Sequence, residues 1–280
     1  MDGGYTVDQS AYTRHILEHH GFANATPADT PLSVLPPHPI ENEPPVDHPD
    51  PALVSGARQF VGEMNQLATW SRPDIAFGVN TLARQQTNPN QHLIADSKRM
   101  LRYLSGTTDL CLSYQHVAHA ESSRPIRIEG YADASHAPER ERNSQTGYIL
   151  FLDGCPILWS SKRQPTISLS AAEAETIAAS EFTRQLIGIT HFLRELGLTY
   201  SMPTLHEDNT TVLSFTSTQP MKSRLRHVEI RHLYVKERML AGDLRLQQIA
   251  SSDQIAECSH QTTCPYSLRS IAPALSLNPT

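Results

Sequence analysis

Gly130-Tyr131-Ala132-Asp133-Ala134-Ser135-His136-Ala137 places a carboxylate, Asp133, at the end of an apolar-alternating run that begins at Ile126-Arg127-Ile128. Alternation of this kind is the mark of a half-buried strand. An acid at a strand end, followed at once by small residues, is where an α/β sheet holds a metal ion. Working outward, strands are predicted over 126–133, 146–152 and 156–161. Asp153-Gly154 supplies a hairpin turn between the second and third, so the three form an antiparallel meander. A long helix is predicted over 170–196, with Ser170 and Glu173 in a capping-box pattern and Gly197 as its stop. A strand at 204–207, helices at 212–216 and 228–240, a strand at 244–249 and a short helix from Asp253 complete the order. Strands and helices in this sequence predict one mixed sheet flanked by helices.

The acids Glu175, Asp208 and Glu257 follow Asp133, each in a different local setting. Asp133 lies at a strand end, Glu175 in the first turns of the long helix and Asp208 just after the fourth strand. Ligands of open α/β folds bind beyond strand ends, and a helix start packed there can bring Glu175 to the same place. Hard oxygen donors of this type suit two Mg²⁺ ions and phosphodiester chemistry without a nucleophilic side chain. Each acid also has a plain structural reading. Most carboxylates are solvated, Asp208-Asn209 can cap the next helix, and Glu173 can serve the capping box alone.

The rest of the chain is different in character. A helix is predicted over 8–20, and its His15, His19 and His20 read as a solvated face, since no carboxylate or cysteine partner is indicated. Nine prolines between Pro27 and Pro51 exclude helix there and predict an extended, mobile linker. Helical patterns follow at 56–69, after Arg72-Pro73-Asp74, and at 92–104, and then a strand at 110–114. The predicted division is therefore 1–26, a proline-rich linker 27–51, a mainly helical part 52–115, a linker 116–125, the α/β part 126–262 and a disordered tail 263–280.

The 280 residues carry a net charge of −6, which speaks mildly against tight autonomous nucleic-acid binding, though a nuclease's own carboxylates lower its charge. Four cysteines without a Cys-x-x-Cys pair predict free thiols and an intracellular setting. Cys258, His260 and Cys264 lack a fourth zinc ligand. The N-terminus has no signal-peptide pattern, and no apolar run is long enough to span a membrane.

Several segments, taken in order, carry a resemblance. They are Gly130-Tyr131-Ala132-Asp133, Ser144-Gln145-Thr146-Gly147-Tyr148, the stretch from Pro156 to Thr166 and Leu169-Ser170-Ala171-Ala172-Glu173-Ala174-Glu175. Then come Glu207-Asp208-Asn209, Arg226-His227-Val228-Glu229-Ile230-Arg231 and Asp253-Gln254-Ile255-Ala256-Glu257. Residues 126–262 thereby resemble the ribonuclease H domain of copia-type LTR-retrotransposon polyproteins. Residues 8–114 resemble the C-terminal part of the reverse transcriptase just upstream, through Thr69-Trp70-Ser71-Arg72-Pro73-Asp74-Ile75-Ala76-Phe77 and the stretch from Lys98 to Thr107.

The resemblance implies a ribonuclease H fold with a five-stranded mixed sheet. It implies hydrolysis of the RNA strand of an RNA–DNA hybrid with two Mg²⁺ or Mn²⁺ ions. Asp133 matches the first-strand aspartate that bridges both metals, Glu175 the helix glutamate, Asp208 the aspartate after the fourth strand and Glu257 the fourth acid. Three positions depart from the pattern. Glu257-Cys258-Ser259-His260 stands where the family has aspartate in an Ala-Asp-x-x-Thr-Lys context. The extra methylene moves that carboxylate by roughly 1–1.5 Å, a scale to which metal geometry is sensitive. His232-Leu233 replaces a Tyr-His pair, and Ala134-Ser135-His136-Ala137 replaces an aspartate-rich, tryptophan-containing stretch.

The polymerase motif Tyr-x-Asp-Asp lies upstream in that family, and no Asp-Asp pair occurs here, so DNA synthesis by this chain alone is not expected. The missing upstream part of the polymerase would leave the apolar faces of 1–115 exposed or repacked against the nuclease. Two functions follow from different classes: a metal-dependent hybrid ribonuclease, and a non-catalytic remnant that binds nucleic acid or is vestigial. The motif order fits an integrase-type nuclease poorly.

Overall fold

A computed structural model describes residues 4–33, 49–114, 124–136, 143–214, 226–256 and 277–279 of the chain. They divide into two compact units, one built on residues 4–114 with 277–279, the other on 124–256.

In the first unit, strand β1 (Tyr5–Val7) leads into helix α1 (Ser10–His19); α2 (Pro51–Trp70), α3 (Ala76–Ala83), α4 (Gln91–Gly106) and strand β2 (Leu110–Tyr114) follow. β1 and β2 pair antiparallel. The helices close on one core that contains Ile16, Leu17, Phe60, Met64, Leu67, Leu82, Met100 and Leu104. Within this unit, apolar faces of α1, α2, α3 and α4 pack on one another.

The expected linker at 27–51 is corrected at both ends. Leu32 is buried in the same core, the Ala28 N–H donates to the Arg102 carbonyl, and Arg99 donates to the Thr30 hydroxyl. Pro51 is the first residue of α2 rather than the last of a linker, because the orphan N–H that proline lacks is one a helix start does not need. Asp50 caps that start by accepting from the Ala52 N–H at 2.9 Å. The intervening residues 34–48 lie outside the described ones. In the tail, Leu277–Pro279 lie as a short strand beside β2, where an unstructured segment was expected.

The Arg72-Pro73-Asp74 motif has a packing role. Arg72 is 1% exposed. Its guanidinium pairs with Asp74 at 2.7 Å and donates to the Thr107 carbonyl and hydroxyl, while the Tyr103 hydroxyl donates to Asp74. A buried charge pair is tolerable only when its remaining donors and acceptors are met, as these are.

The second unit begins with β3 (Ile128–Ser135), β4 (Gln145–Leu152) and β5 (Cys155–Arg163), an antiparallel meander. The turn between β4 and β5 has Asp153 at φ 48° and Gly154 at φ 82°, the two left-handed residues that a tight hairpin demands. Then come α5 (Ala171–Glu195), β6 (Thr204–Glu207), α6 (Thr210–Ser214), α7 (Arg226–Leu240) and β7 (Arg245–Gln248). The sheet order is β5-β4-β3-β6-β7, with β6 parallel to both β3 and β7. This is the five-stranded mixed sheet flanked by helices that the resemblance implied. A 3₁₀ turn spans Ser251–Asp253 and 3₁₀ geometry resumes at Ile255 and Ala256; the rest of the helix expected from Asp253 falls on residues 257 to 276, which lie outside the described ones.

α5 lies across β3 and β4, burying Ala174, Ala178, Phe182 and Leu186 against Ala132, Tyr148 and Leu150. Gly130 permits this approach: a Cβ there would collide with the Phe182 ring. Gly130→Ala is therefore expected to lower the stability of this unit by about 1–3 kcal/mol, the usual cost of overpacking. Urea unfolding followed through Trp159, with Trp70 replaced by Phe, measures this. A further Phe182→Leu change is expected to recover part of the loss, and full stability of the single variant would contradict the contact.

Candidate active site

Asp133 lies near the end of β3 and is 6% exposed. One of its oxygens accepts from the Ala134 N–H at 2.8 Å. Its ladder partner on β4 is Gly147, which adds no side chain beside the carboxylate. On the other flank the parallel pairing of β3 with β6 runs Glu129 to Thr204, Gly130 to Leu205 and Tyr131 to His206. Continued two residues further, that offset sets Asp133 level with Asp208, at the carboxyl ends of neighbouring parallel strands. Asp208 also accepts from the Ser251 hydroxyl at 2.7 Å.

Glu175 comes from the second turn of α5. Ser170 caps the helix by accepting from the Glu173 N–H, and Glu173 reaches back to the Leu169 N–H at 2.7 Å. Glu173 is thus used by the helix start, and Glu175, two residues further and on the buried side of the helix, is left for the site. Gln164, 2% exposed, holds this turn in place by donating to the Ala174 carbonyl and the Thr146 hydroxyl, both at 2.9 Å. Its own carbonyl accepts from the Ser168 hydroxyl.

Burial drives the Glu175 pKa far upward from 4.5, and the charge of Asp133, then of Glu207, a hydrogen bond with Asp133 and the charge of Asp208 push it the same way. Asp133, Glu175 and Asp208 are therefore electrostatic neighbours at one end of the sheet. The fourth expected acid, Glu257, lies outside the described residues. The residues just before it are anchored: Gln254 is fully buried, donates to the Ala132 carbonyl at 3.1 Å and accepts from the Ala256 N–H. The Asp253-Gln254 motif thus ties the end of this unit to the residue preceding Asp133.

Glu207 is a carboxyl that sequence reasoning did not assign to the site. It is fully buried at the end of β6, and burial raises its pKa well above the ordinary value, opposed by a bond from the Asn209 N–H and reinforced by Asp208 and Asp133. Period-two alternation from the core residue Leu205 was the signal that placed it on the inner face. One oxygen of Glu175 and one of Glu207 are buried without a hydrogen-bond partner among the described residues. Buried, unpartnered carboxyl oxygens must either hold protons or meet a cation. An all-oxygen set of this kind fits a hard divalent ion such as Mg²⁺ or Mn²⁺. Among the described residues, the group of three ligand-type side chains whose atoms all lie within 4.8 Å of one another is His19, His20 and Glu63, in the other unit.

A sheet in the order β5-β4-β3-β6-β7, with acids at adjoining ends of β3 and β6 and on the crossing helix, defines a ribonuclease H-like unit. The chain is 30% identical over 259 residues to the retrovirus-related Pol polyprotein from transposon TNT 1-94 of Nicotiana tabacum, covering 90% of this chain and 18% of that protein. The Pol polyprotein from transposon RE2 of Arabidopsis thaliana is 29% identical over 91% of this chain and 17% of its own length. An uncharacterised mitochondrial protein of Arabidopsis thaliana is 32% identical, over 64% of this chain and 72% of that one. Homologues of the chain are thus retrovirus-related Pol polyproteins of transposons, and the chain spans less than a fifth of the length of these two.

No family model matches. Among solved structures, the ribonuclease H1 of Halobacterium salinarum matches with a TM-score of 0.34 at 16% identity, over 46% of this chain and 90% of that one. The LC11 ribonuclease H1 in complex with an RNA/DNA hybrid matches with a TM-score of 0.35 at 14% identity, over 46% and 89%. The fold assignment rests on the strand order and directions themselves.

Glu175 and Glu207 have raised pKa values, so without metal the folded state holds protons that the unfolded state releases above pH 4.5. Stability from these two groups is complete below that pH and is lost as pH rises, at up to roughly 1.4 kcal/mol per pH unit for each group. In EDTA, Glu207→Gln is expected to flatten the fall of stability between pH 5 and pH 8, by about 1 kcal/mol or more at neutral pH. Urea midpoints across that range measure it, and a wild-type profile that rises with pH would refute the buried-acid account.

Proposed function

We propose that this chain is a divalent-metal-dependent ribonuclease acting on the RNA strand of RNA–DNA hybrids, in the manner of copia-type elements. The observation that carries the proposal is the electrostatic meeting of Glu175 with Asp133 and Asp208 at one end of the β3–β6 pair. Asp133, Glu175 and Asp208 would hold the ions, with Glu257 as the fourth acid. When bound, two Mg²⁺ or Mn²⁺ ions supply Lewis acidity for activating water and for stabilising the leaving oxygen of the phosphodiester. Asp133 binds from the strand end, fixed by its own backbone contact to Ala134. Glu175 is positioned by the Gln164 clamp on the first turns of α5, and Asp208 is oriented by Ser251. Residues 8–114 fit the C-terminal segment of the reverse transcriptase, and no polymerase activity is proposed for them.

A second reading, a hybrid-binding remnant without cleavage, is favoured by Glu257 in place of aspartate and by the net charge of −6.

The test is release of labelled RNA from a hybrid with Mg²⁺ or Mn²⁺. Cleavage is expected in the wild type and a loss of at least a hundredfold in Asp133→Asn, with single-stranded RNA spared. Binding without cleavage that Glu257→Asp converts to cleavage would support the second reading and locate the defect. Equal, metal-independent signals from wild type and Asp133→Asn would sink the first.

A further inference from the structure

The C-terminal end of α1 meets the middle of α2 through a cluster of nitrogen and oxygen donors. His19 is the last residue of α1, and His20 is its cap. The helices are brought together by Ile16 and Leu17 packing in one core with Phe60, Val61 and Met64. His20 Nε2 lies 2.7 Å from Glu63 Oε2. His19 Nε2 lies 3.4 Å from Gln59 Nε2, which donates to the other Glu63 oxygen at 2.9 Å. An amide nitrogen can only donate there, so His19 accepts from Gln59 through an unprotonated Nε2, beside the Glu63 carboxylate. The two imidazole rings stand edge to face with centroids 4.9 Å apart. One ligand atom from each of His19, His20 and Glu63 lies within 4.8 Å of the other two.

We propose that His19, His20 and Glu63 bind one divalent transition-metal ion of the zinc type, fastening α1 to α2. Two neutral imidazoles and a carboxylate are the donors Zn²⁺, Co²⁺ and Ni²⁺ prefer, whereas Mg²⁺ selects oxygen. Metal–donor distances of about 2.0–2.2 Å put tetrahedral ligands about 3.4 Å apart, a span reached here by small side-chain rotations. His19 is exposed, and the His20 and Glu63 side chains are 24% and 18% exposed, so water has access to a fourth position. Gln59 supplies the supporting bond that orients the carboxylate. A cation here also faces the negative end of the α1 dipole. The ion would close the loop between α1 and Glu63 and restrict the unfolded chain.

The sequence read these histidines as a solvated face because their carboxylate partner lies 43 positions away from His20. The site is independent of the nuclease acids and stands or falls separately from the proposed activity.

Co²⁺ titration of the 280-residue chain tests it. One equivalent is expected to give the visible bands of a four-coordinate nitrogen–oxygen site, displaced by Zn²⁺. His19→Gln and Glu63→Gln are each expected to weaken Zn²⁺ binding at least tenfold while leaving the circular dichroism unchanged. Asp133→Asn is expected to leave it untouched. Absence of stoichiometric binding, binding in both variants unchanged from wild type, or bands carrying thiolate charge transfer would overturn the proposal.

Discussion

The close approach of α5 to β3 is the contact on which the ribonuclease H-like unit depends. It exists because Gly130 has no Cβ and the Phe182 ring occupies the space one would take. Ala132 and Ala134 continue the same inner face of β3, and Ala174 and Ala178 answer them from the helix. Small residues on both sides let backbone approach backbone. Only at that separation does a glutamate on the second turn of α5 reach an aspartate on the strand. A larger residue on either surface would separate Glu175 from Asp133 without touching either.

That proximity has a cost. Glu175 and Glu207 are buried beside Asp133 and Asp208, and burial and like charge both oppose ionisation. The surrounding supports are neutral amides and hydroxyls. Gln164 clamps the start of α5, Gln254 ties the last described segment to β3, and Ser251 contacts Asp208. None of these neutralises charge. The arrangement keeps carboxyls in place while leaving the charge to be met by protons or by a hard cation. The same residues explain why the Gln164 and Gln254 motifs belong to the pattern: they hold the acids without binding anything themselves.

The N-terminal unit shows a different economy. Its pieces come from either side of a proline-rich stretch, yet Ile16, Leu32, Met64 and Met100 share one core. The Arg72–Asp74 pair is bound by Tyr103 and Thr107 of the same unit.

Local signals in the sequence determined much of this protein. The alternation into Asp133, the Asp153-Gly154 turn, the Ser170 cap with Glu173 and the stop at Gly197 each depend on residues within a few positions, so strand, hairpin and helix were legible. So were Asp133, Glu175 and Asp208, since each sits at the end or start of such an element. Tertiary structure decided the rest. Glu207 joins the acids only because parallel pairing of β6 with β3 turns the Leu205 face inward at that end of the sheet. Leu32 leaves the expected linker because the shared helical core takes its side chain, beside Gly78 of α3. His19 and His20 gain Glu63 only through the packing of α1 on α2. These are contacts between residues tens of positions apart, and no local periodicity encodes which distant surface will bury a side chain or set two charges side by side.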